Sequence, residues 1–427
     1  MKVNYYLTQL QPDFDTLFQL LRHSMKILHV MPHFPYPPDN GARADIWARL
    51  RAMNNLGYSV DALVVAQKAT PKERHVTEMR SLVSTLQFVE RRPLRNCLAT
   101  ITPTFISRNS KFSELPLTEQ YDLTLMETEG ALPICDNPLL KTTLRVLRVH
   151  NDEITYMWEL AKAEENFLRK QFVRLEALRM VPFSRSAYHR VDSLWFISLG
   201  ECERFIAKHP AAAAKAVWLP PSLVPGDEPK RSTAYCKRVL FVGNFYSPLN
   251  REGLRWYLKQ VHPLLQQDPD YQLVVAGSTQ GCSSAHSFAK DIKQERCCTV
   301  LVDLEDTTLL YKDCAVFINP MQGGAGVKLK SIHAIERGIP VVSTSVGNEG
   351  SGFADKEHVR LADTPAEFAA AISELLKNYR IGEQMAVRAY SYLTKTYNCE
   401  ANIRRLISTL VSRHSQRSKD QETVLSV

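Results

Sequence analysis

The sequence lacks the features that mark membrane-spanning, secreted and disulfide-bonded proteins. No stretch of about 18 uncharged apolar residues occurs, so no transmembrane helix is expected. The first 24 residues are polar and have no apolar centre, unlike a signal peptide. The nine cysteines form no Cys-x-x-Cys pair, and Cys297 and Cys298 are adjacent, which fits neither a disulfide framework nor a structural zinc site. We therefore expect a cytoplasmic protein.

The chain has little excess charge and few glycines for its size. It carries 53 Lys and Arg against 45 Asp and Glu, a net charge of +8, which fits contact with phosphates without requiring nucleic acid. Its aromatic residues do not alternate with basic ones, so we expect no nucleic-acid partner. With 17 Gly, 23 Pro and 44% hydrophobic residues, a collagen-like or disordered chain is excluded.

Short apolar runs alternate with amphipathic stretches in both halves of the sequence. Examples are residues 26–31, 85–89, 316–319 and 341–343, each separated from the next run by helical periodicity. This pattern is typical of parallel sheets covered by helices. The turn-forming stretch 219–229, which contains four prolines, divides the two halves. The fold class is therefore α/β, with two domains.

These boundaries divide the chain into six segments. They are an extension over 1–24, an N-terminal domain over 25–218, a linker over 219–235, a C-terminal domain over 236–398, a C-terminal helix over 399–412 and a disordered tail over 413–427. The extension is either an extra helix or the product of a start upstream of Met25, and both alternatives stay open. A single long helix is expected from Asp152 to Met180.

The most informative stretch runs from Asn319 to Thr344. Gly323, Gly324 and Gly326 form a loop between a predicted strand and a helix that carries Lys328 and Lys330. Backbone N–H groups at a helix N-terminus, together with two cations, suit a diphosphate. Glycine lets the backbone approach such a ligand closely.

This stretch resembles the donor-site signature of the group-1 (family-4) retaining glycosyltransferases, G-x-G-V-K-x-K followed by G-x-P-V-V-x-T. Other segments are similar to that family in the same order along the chain. They are residues 30–43, 148–153, 192–198 and 241–256. The resemblance covers about residues 25–410. It implies two facing Rossmann-like domains in the GT-B architecture, with a cleft between them and a C-terminal helix that crosses back.

The resemblance also implies the ligands and the site. A nucleotide-diphosphate sugar would be the co-substrate, with no further cofactor, and a glycan, lipid-linked or small-molecule hydroxyl would be the acceptor. His150, Lys328 and Arg251 are the catalytic candidates. The donor-binding candidates are Gly41, Arg43, Gly243, Asn244, Gly323, Gly324, Gly326, Lys330, His333 and Glu336.

Two departures from the family pattern concern carboxylates. The family usually carries two glutamates with seven residues between them, the first at the sugar hydroxyls and the second at the ribose. Here Ala325 and His333 occupy those positions. His333 can exchange hydrogen bonds with ribose hydroxyls, or Glu336, one turn further along the helix, substitutes for the second glutamate.

The resemblance implies transfer with retention of the anomeric configuration. The leaving phosphate would take the acceptor proton on the same face of the sugar, and the sequence shows no carboxylate pair that would supply a nucleophile. The segments that carry the resemblance contain no Asp-x-Asp triplet, so we expect no obligatory metal.

Residues 165–190 combine basic and apolar side chains. Arg169, Lys170, Arg174 and Arg179 alternate with Phe167, Phe172, Leu175 and Leu178, and Arg185 and Arg190 follow. Such a helix either docks on anionic lipid at the inner face of the membrane or is an ordinary domain helix with a solvated basic face.

Two other functions compete with the glycosyltransferase. One is a catalytically inactive relative that acts as a binding or partner subunit, because both family glutamates are missing. The other is a nicotinamide-dependent oxidoreductase, which needs Gly-x-Gly-x-x-Gly directly after the first strand. The sequence places Pro32-His33-Phe34-Pro35 there instead, which disfavours it.

Overall fold

The computed structural model describes most of the chain. The described residues are 25–38, 41–66, 71–222, 237–304, 306–312 and 314–425, without the side chains of 185 and 417–425. The predicted extension 1–24 and most of the predicted linker, from 223 onward, lie outside the described residues.

A parallel sheet of seven strands forms the N-terminal half of the described chain, in the order β3-β2-β1-β4-β5-β6-β7. Its strands are β1 (Lys26–Met31), β2 (Ser59–Val65), β3 (Thr85–Val89), β4 (Gln120–Glu127), β5 (Lys141–Val149), β6 (Ser193–Phe196) and β7 (Ala216–Trp218). β1 pairs with both β2 and β4, so the strand order reverses there. In open parallel sheets ligands bind at such a reversal, beyond the carboxyl ends of the strands.

Helices cover both faces of this sheet. They are α1 (Gly41–Asn55), α2 (Glu73–Arg80), α3 (Thr104–Ser107), α4 (Glu153–Ala163), α5 (Phe167–Ala187) and α6 (Leu199–Lys208), with short 3₁₀ segments at Leu94–Asn96, Ser110–Glu114, Glu129–Asp136 and Pro210–Lys215. Buried apolar side chains fill both layers, for example Ile27 with Ile46 on one face and Leu28 with Phe112 on the other.

A second parallel sheet of six strands forms the C-terminal half, in the order β10-β9-β8-β11-β12-β13. Its strands are β8 (Arg238–Asn244), β9 (Gln272–Ser278), β10 (Cys298–Val302), β11 (Val316–Asn319), β12 (Val341–Ser343) and β13 (Arg360–Leu361). Its order also reverses, between β8 and β11. Two Rossmann-like α/β units are therefore confirmed.

The helices of this half are α7 (Pro248–Trp256), α8 (His262–Leu265), α9 (Ser283–Ile292), α10 (Thr308–Lys312), α11 (Leu329–Glu336), α12 (Ser345–Asn348), α13 (Pro365–Lys377) and α14 (Tyr379–Thr396). A π-helical turn, Tyr257–Val261, joins α7 to α8. In the residues that the structure describes, no helix is both long and apolar enough to cross a bilayer.

The last helix, α15 (Cys399–Leu425), returns to the N-terminal half and packs on α1. Ile403, Leu406 and Leu410 belong to the same buried core as Ile46 and Leu50. The predicted crossing helix is thus present, but the prediction that residues from 413 onward are disordered is wrong, because the helix continues to Leu425. No glycine or proline interrupts the sequence after residue 399, so nothing in it ends the helix at 412.

The single helix predicted from Asp152 to Met180 is two helices. α4 ends at Ala163, Glu164 has an extended backbone, and the Asn166 side chain caps α5 by accepting a 3.0 Å hydrogen bond from the Arg169 N–H. Asparagine is among the best N-caps, so it starts a new helix rather than continuing the first. α5 then runs through Pro182 to Ala187.

Candidate active site

The glycine loop between β11 and α11 adopts backbone angles that favour glycine. Gly324 and Gly326 have φ of +106° and +74°, in the left-handed region. The Lys328 ammonium donates to the carbonyl oxygens of Gly324, Ala325 and Gly326, at 3.3, 3.2 and 2.6 Å. In this structure Lys328 therefore folds back on the loop and holds its shape, at the N-terminus of α11.

Lys330 lies two residues after Lys328, in the first turn of α11. Its ammonium donates to Asn250 Oδ1 at 2.6 Å and stands 4.9 Å from the centroid of the Phe241 ring. Removal from water, and then repulsion by Lys328, lowers the Lys330 pKa to about 7. Its charge therefore responds to any anion that binds nearby.

Three predicted residues flank the loop after β8: Gly243 and Asn244 end the strand, and Arg251 lies in α7, which follows the loop. The Asn244 carbonyl accepts from Asn250 Nδ2 at 3.0 Å, which connects this loop to Lys330. Gly243 lies against the Phe241 ring. Arg251 is buried, and its Nη1 donates to the Phe245 carbonyl at 2.8 Å, so it braces the same loop.

His150 is the predicted catalytic residue of the N-terminal domain, and it follows the carboxyl end of β5. Its Nε2 lies 2.7 Å from Oε2 of Glu127, at the end of the neighbouring strand β4. Since Nε2 is engaged there, Nδ1 is the ring nitrogen left for a ligand.

Glu127 is the centre of a fully buried network of charges. His29 Nε2 lies 2.8 Å from its Oε1, and Arg49 donates to both of its oxygens at 2.9 and 3.0 Å. Arg49 and Arg148 also donate to Asp45, at 2.7 and 3.2 Å. Although burial opposes it, the two arginines hold the pKa of Asp45 below its usual range, and Arg49 with the two histidines lowers that of Glu127. The network fixes the ring of His150.

Asp45, Glu127 and His150 are also the group of described residues whose atoms lie close enough together to hold a metal ion. Their carboxylates are already engaged by Arg49 and Arg148, however, and a cation would have to compete with both guanidinium groups. Two Asp-x-Asp triplets occur elsewhere in the chain: residues 13–15 lie outside the described part, and Asp268 and Asp270 pair with Lys237.

The two domains meet at these loops. A Cβ on Gly326 would lie against the His150 carbonyl and the Asn151 side chain, and one on Gly41 would lie 2.8 Å from Leu329 Cδ1. The glycine loop, the start of α11, His150 and the start of α1 are therefore side by side. Gly323 instead approaches Glu159 of α4. Two of the three predicted catalytic residues, His150 and Lys328, therefore lie near the contact between the domains.

The remaining predicted residues lie around this centre. His333 Nδ1 and Glu336 Oε2 are 3.4 Å apart on α11, so the two alternatives for the ribose contact form one partly exposed pair. Arg43 stands in the first turn of α1. Its charge, after burial and repulsion by His150, helps to lower the pKa of the neighbouring His33 to about 4.

Several residues of the site were missed from the sequence. Glu127 carries a signal that could have revealed it, because a carboxylate ends an apolar strand beside the strand before His150. The sequence signal at Glu201 is misleading. Ser198, three residues earlier, caps α6 and makes Glu201 resemble a capping-box residue. The structure instead has Glu201 Oε1 accepting the Gly326 N–H at 2.9 Å, 125 residues away.

The chain is similar to known proteins in sequence. The sequence model of the family described as glycosyl transferases group 1 matches residues 236–378. A Klebsiella pneumoniae protein, described as an uncharacterized 44.6 kDa protein in the cps region, is 32% identical over 384 residues, 87% of this chain and 96% of the relative.

Solved structures share the whole architecture. The glycosyltransferase from Rickettsia africae superposes with a TM-score of 0.61 at 11% identity, over 91% of this chain and 98% of that one. Staphylococcus aureus TarM, solved with UDP and alpha-GlcNAc-glycerol, superposes with a TM-score of 0.64 at 9% identity, over 90% of this chain and 100% of that one. Anabaena HepE, solved with UDP and glucose, superposes with a TM-score of 0.60 at 14% identity, over 91% of this chain and 100% of that one. The predicted GT-B fold is confirmed, and the chain belongs to the group 1 glycosyltransferases, the enzymes that transfer sugars from nucleotide sugars.

Proposed function

We propose that this protein transfers a sugar from a nucleotide-diphosphate sugar to a hydroxyl group of a glycan, lipid-linked or small-molecule acceptor during surface polysaccharide assembly. The observation that carries the proposal is the glycine loop 323–326 at the N-terminus of α11, facing His150 across the cleft. The Klebsiella relative lies in a cps region, which supports a polysaccharide as the product.

The donor diphosphate would bind at the start of α11. Backbone N–H groups there and the ammonium groups of Lys328 and Lys330 supply positive potential, which stabilises the charge that develops on the leaving phosphate. Asn250 and Arg251 hold the opposite loop in place. The donor sugar would then project toward His150.

The reaction proceeds with retention of the anomeric configuration. The bond between the anomeric carbon and the phosphate oxygen breaks, and the acceptor oxygen bonds to that carbon on the same face. The departing phosphate takes the acceptor proton. His150, held through Nε2 by Glu127, offers Nδ1 to a sugar or acceptor hydroxyl.

We also propose that an exposed surface of α5 contacts anionic lipid. Leu168, Phe172 and Leu175 recur at helical spacing and are exposed, Leu168 to 77%, and Ile101 on a neighbouring loop is 82% exposed. Arg169, Lys170 and Arg174 lie among them. Exposed apolar side chains flanked by cations favour the interface of an anionic membrane.

The experiment is a thermal-shift screen across UDP-, GDP-, dTDP- and ADP-sugars, followed by turnover with mixed glycan and lipid-linked acceptors. We expect one donor class to give turnover, a product of unchanged anomeric configuration by NMR, and about a tenfold or greater loss of donor affinity in Lys328→Ala but not in Lys290→Ala. Donor binding without turnover would favour the inactive-subunit alternative, and an inverted product would contradict retention.

Vesicle sedimentation tests the lipid contact separately. Binding to vesicles with anionic lipid, lost in Leu168→Gln and kept in Val387→Gln, whose residue is exposed on α14, would support it. Equal binding to neutral vesicles would contradict the role of the basic residues.

A further inference from the structure

Glu201 reaches from the N-terminal domain to the glycine loop of the other domain. It lies in the first turn of α6, where the Ser198 side chain accepts a hydrogen bond from its N–H at 3.3 Å. Its side chain leaves the helix and Oε1 accepts the Gly326 N–H at 2.9 Å. The residue is 3% exposed, so this carboxyl group is enclosed at the domain interface.

The second oxygen of this carboxyl group has no hydrogen-bond partner among the described residues, although it is buried. A buried acceptor without a partner costs free energy, and native proteins keep few of them. Burial is the main cause that raises the pKa of Glu201 to about 7; the Asp152 backbone N–H opposes it, and repulsion from the Asp152 and Glu349 carboxylates adds to it. A ligand hydroxyl beside Oε2 would remove this penalty.

The glycine loop itself offers donors and no carboxylate. Residues 319–330 contain neither Asp nor Glu, and Ala325 presents only a methyl group. Phosphate oxygens require hydrogen-bond donors, which the loop supplies, but sugar hydroxyls also require hydrogen-bond acceptors. In the described part of the chain, Glu201 is the carboxylate that hydrogen-bonds to this loop. The hydrogen-bond acceptor for a hydroxyl of the transferred sugar therefore comes from the N-terminal domain.

We propose that Glu201 is a specificity-determining residue whose Oε2 accepts a hydrogen bond from one hydroxyl of the transferred sugar. The inference rests on the proposed function and adds the residue that recognises the transferred sugar. Because Oε1 of the same group holds Gly326, sugar recognition and the contact between the two domains share one side chain. A donor that lacks the hydroxyl leaves the penalty in place, and the site rejects it.

The test measures kcat/KM for the best donor of the panel and for its analogues lacking one sugar hydroxyl at a time, with wild type, Glu201→Gln and Glu201→Ala. Glu203→Gln is the control, since Glu203 is exposed on the same helix. We expect loss of one particular hydroxyl to cost wild type and Glu203→Gln about 30-fold and Glu201→Ala less than about threefold. Inhibition by the free nucleoside diphosphate, which has no sugar, should change by less than about twofold.

Two other outcomes overturn the inference in different ways. If every deoxy donor loses the same factor in wild type and in Glu201→Ala, Glu201 only holds the domains together, and the proposed function stands. If no nucleotide sugar binds to or reacts with the wild type, the proposed function fails and the inference fails with it.

Discussion

Oε2 of Glu127 lies 2.7 Å from Nε2 of His150, at the adjacent carboxyl ends of β4 and β5. The pair is buried, and Arg49 balances the charge of the carboxylate. The carboxylate therefore fixes Nε2 of His150 and leaves Nδ1 as the ring nitrogen for a ligand.

We expect Glu127→Gln to lower both stability and activity. Without the carboxylate, Arg49 and Arg148 share only Asp45, which leaves a positive charge buried without compensation. The free energy of unfolding should fall by about 3–5 kcal/mol, and kcat by about tenfold or more, because His150 loses its anchor. Thermal unfolding and turnover below the melting temperature measure the two effects.

Glu119→Gln is the matched control for this prediction. Glu119 pairs with Lys26 at the protein surface and its side chain is 57% exposed, so its loss should cost less than about 1 kcal/mol. Equal losses in the two variants would contradict the proposed importance of the buried network.

Donor binding at pH 8 should be accompanied by proton uptake at Lys330. With a pKa of about 7, about nine-tenths of its amines are neutral at that pH in the free protein. A diphosphate nearby stabilises the ammonium form and raises the pKa, so about half a proton or more is taken up. Calorimetry in buffers of different ionisation enthalpy measures this number.

The size of this effect depends on pH. At pH 6 Lys330 is already charged, and uptake by this group should vanish. Lys330→Met should abolish the uptake at pH 8, whereas Lys290→Met, at an exposed position, should leave it unchanged. Uptake that persists in Lys330→Met would assign it to another group.

Gly326→Ala should impair catalysis more than stability alone explains. The left-handed backbone of Gly326 costs an alanine about 1–2 kcal/mol, and its Cβ would press on Asn151 and the His150 carbonyl across the cleft. We expect kcat/KM to fall by about tenfold or more, since the two halves of the site are pushed apart.

Gly57 separates these two costs. It has φ of +79°, but a Cβ added there would meet no atom within 4 Å, so Gly57→Ala carries the backbone cost alone. This variant should lose about 1–2 kcal/mol of stability and keep its kcat/KM. Similar kinetic losses in both variants would show that the interdomain contact is unimportant.

Ile403→Ala tests the packing of α15. Ile403 is fully buried in the core of the N-terminal domain, so the cavity should cost about 2–4 kcal/mol in the free energy of unfolding. Leu264→Ala, at a half-exposed position on α8, should cost less than about 1 kcal/mol. Denaturant unfolding compares the two variants.

The sequence predicts the elements of this fold better than the contacts between them. Strands 85–89, 316–319 and 341–343 have the predicted bounds. The last two are fully buried apolar runs between turn residues, whereas in 85–89 only Val89 is buried. The glycine loop was found from its own spacing. The position of Glu127 at the end of a strand and the capping-box spacing of Glu201 do not reveal their partners, because the tertiary fold brings Glu127 to His150 and Glu201 to Gly326. The break before Asn166 was missed although its capping residue is visible in the sequence.

The return of α15 to the first domain sets the order in which this protein can complete its folding. Ile46 and Leu50 of α1 share their core with Ile403 and Leu406, which the ribosome adds only after the whole second domain. The first domain to be synthesised is therefore the last to complete its hydrophobic core. A nascent chain stalled before α15 would carry an open apolar groove on α1, and the two domains cannot be produced as independent halves by cutting between them.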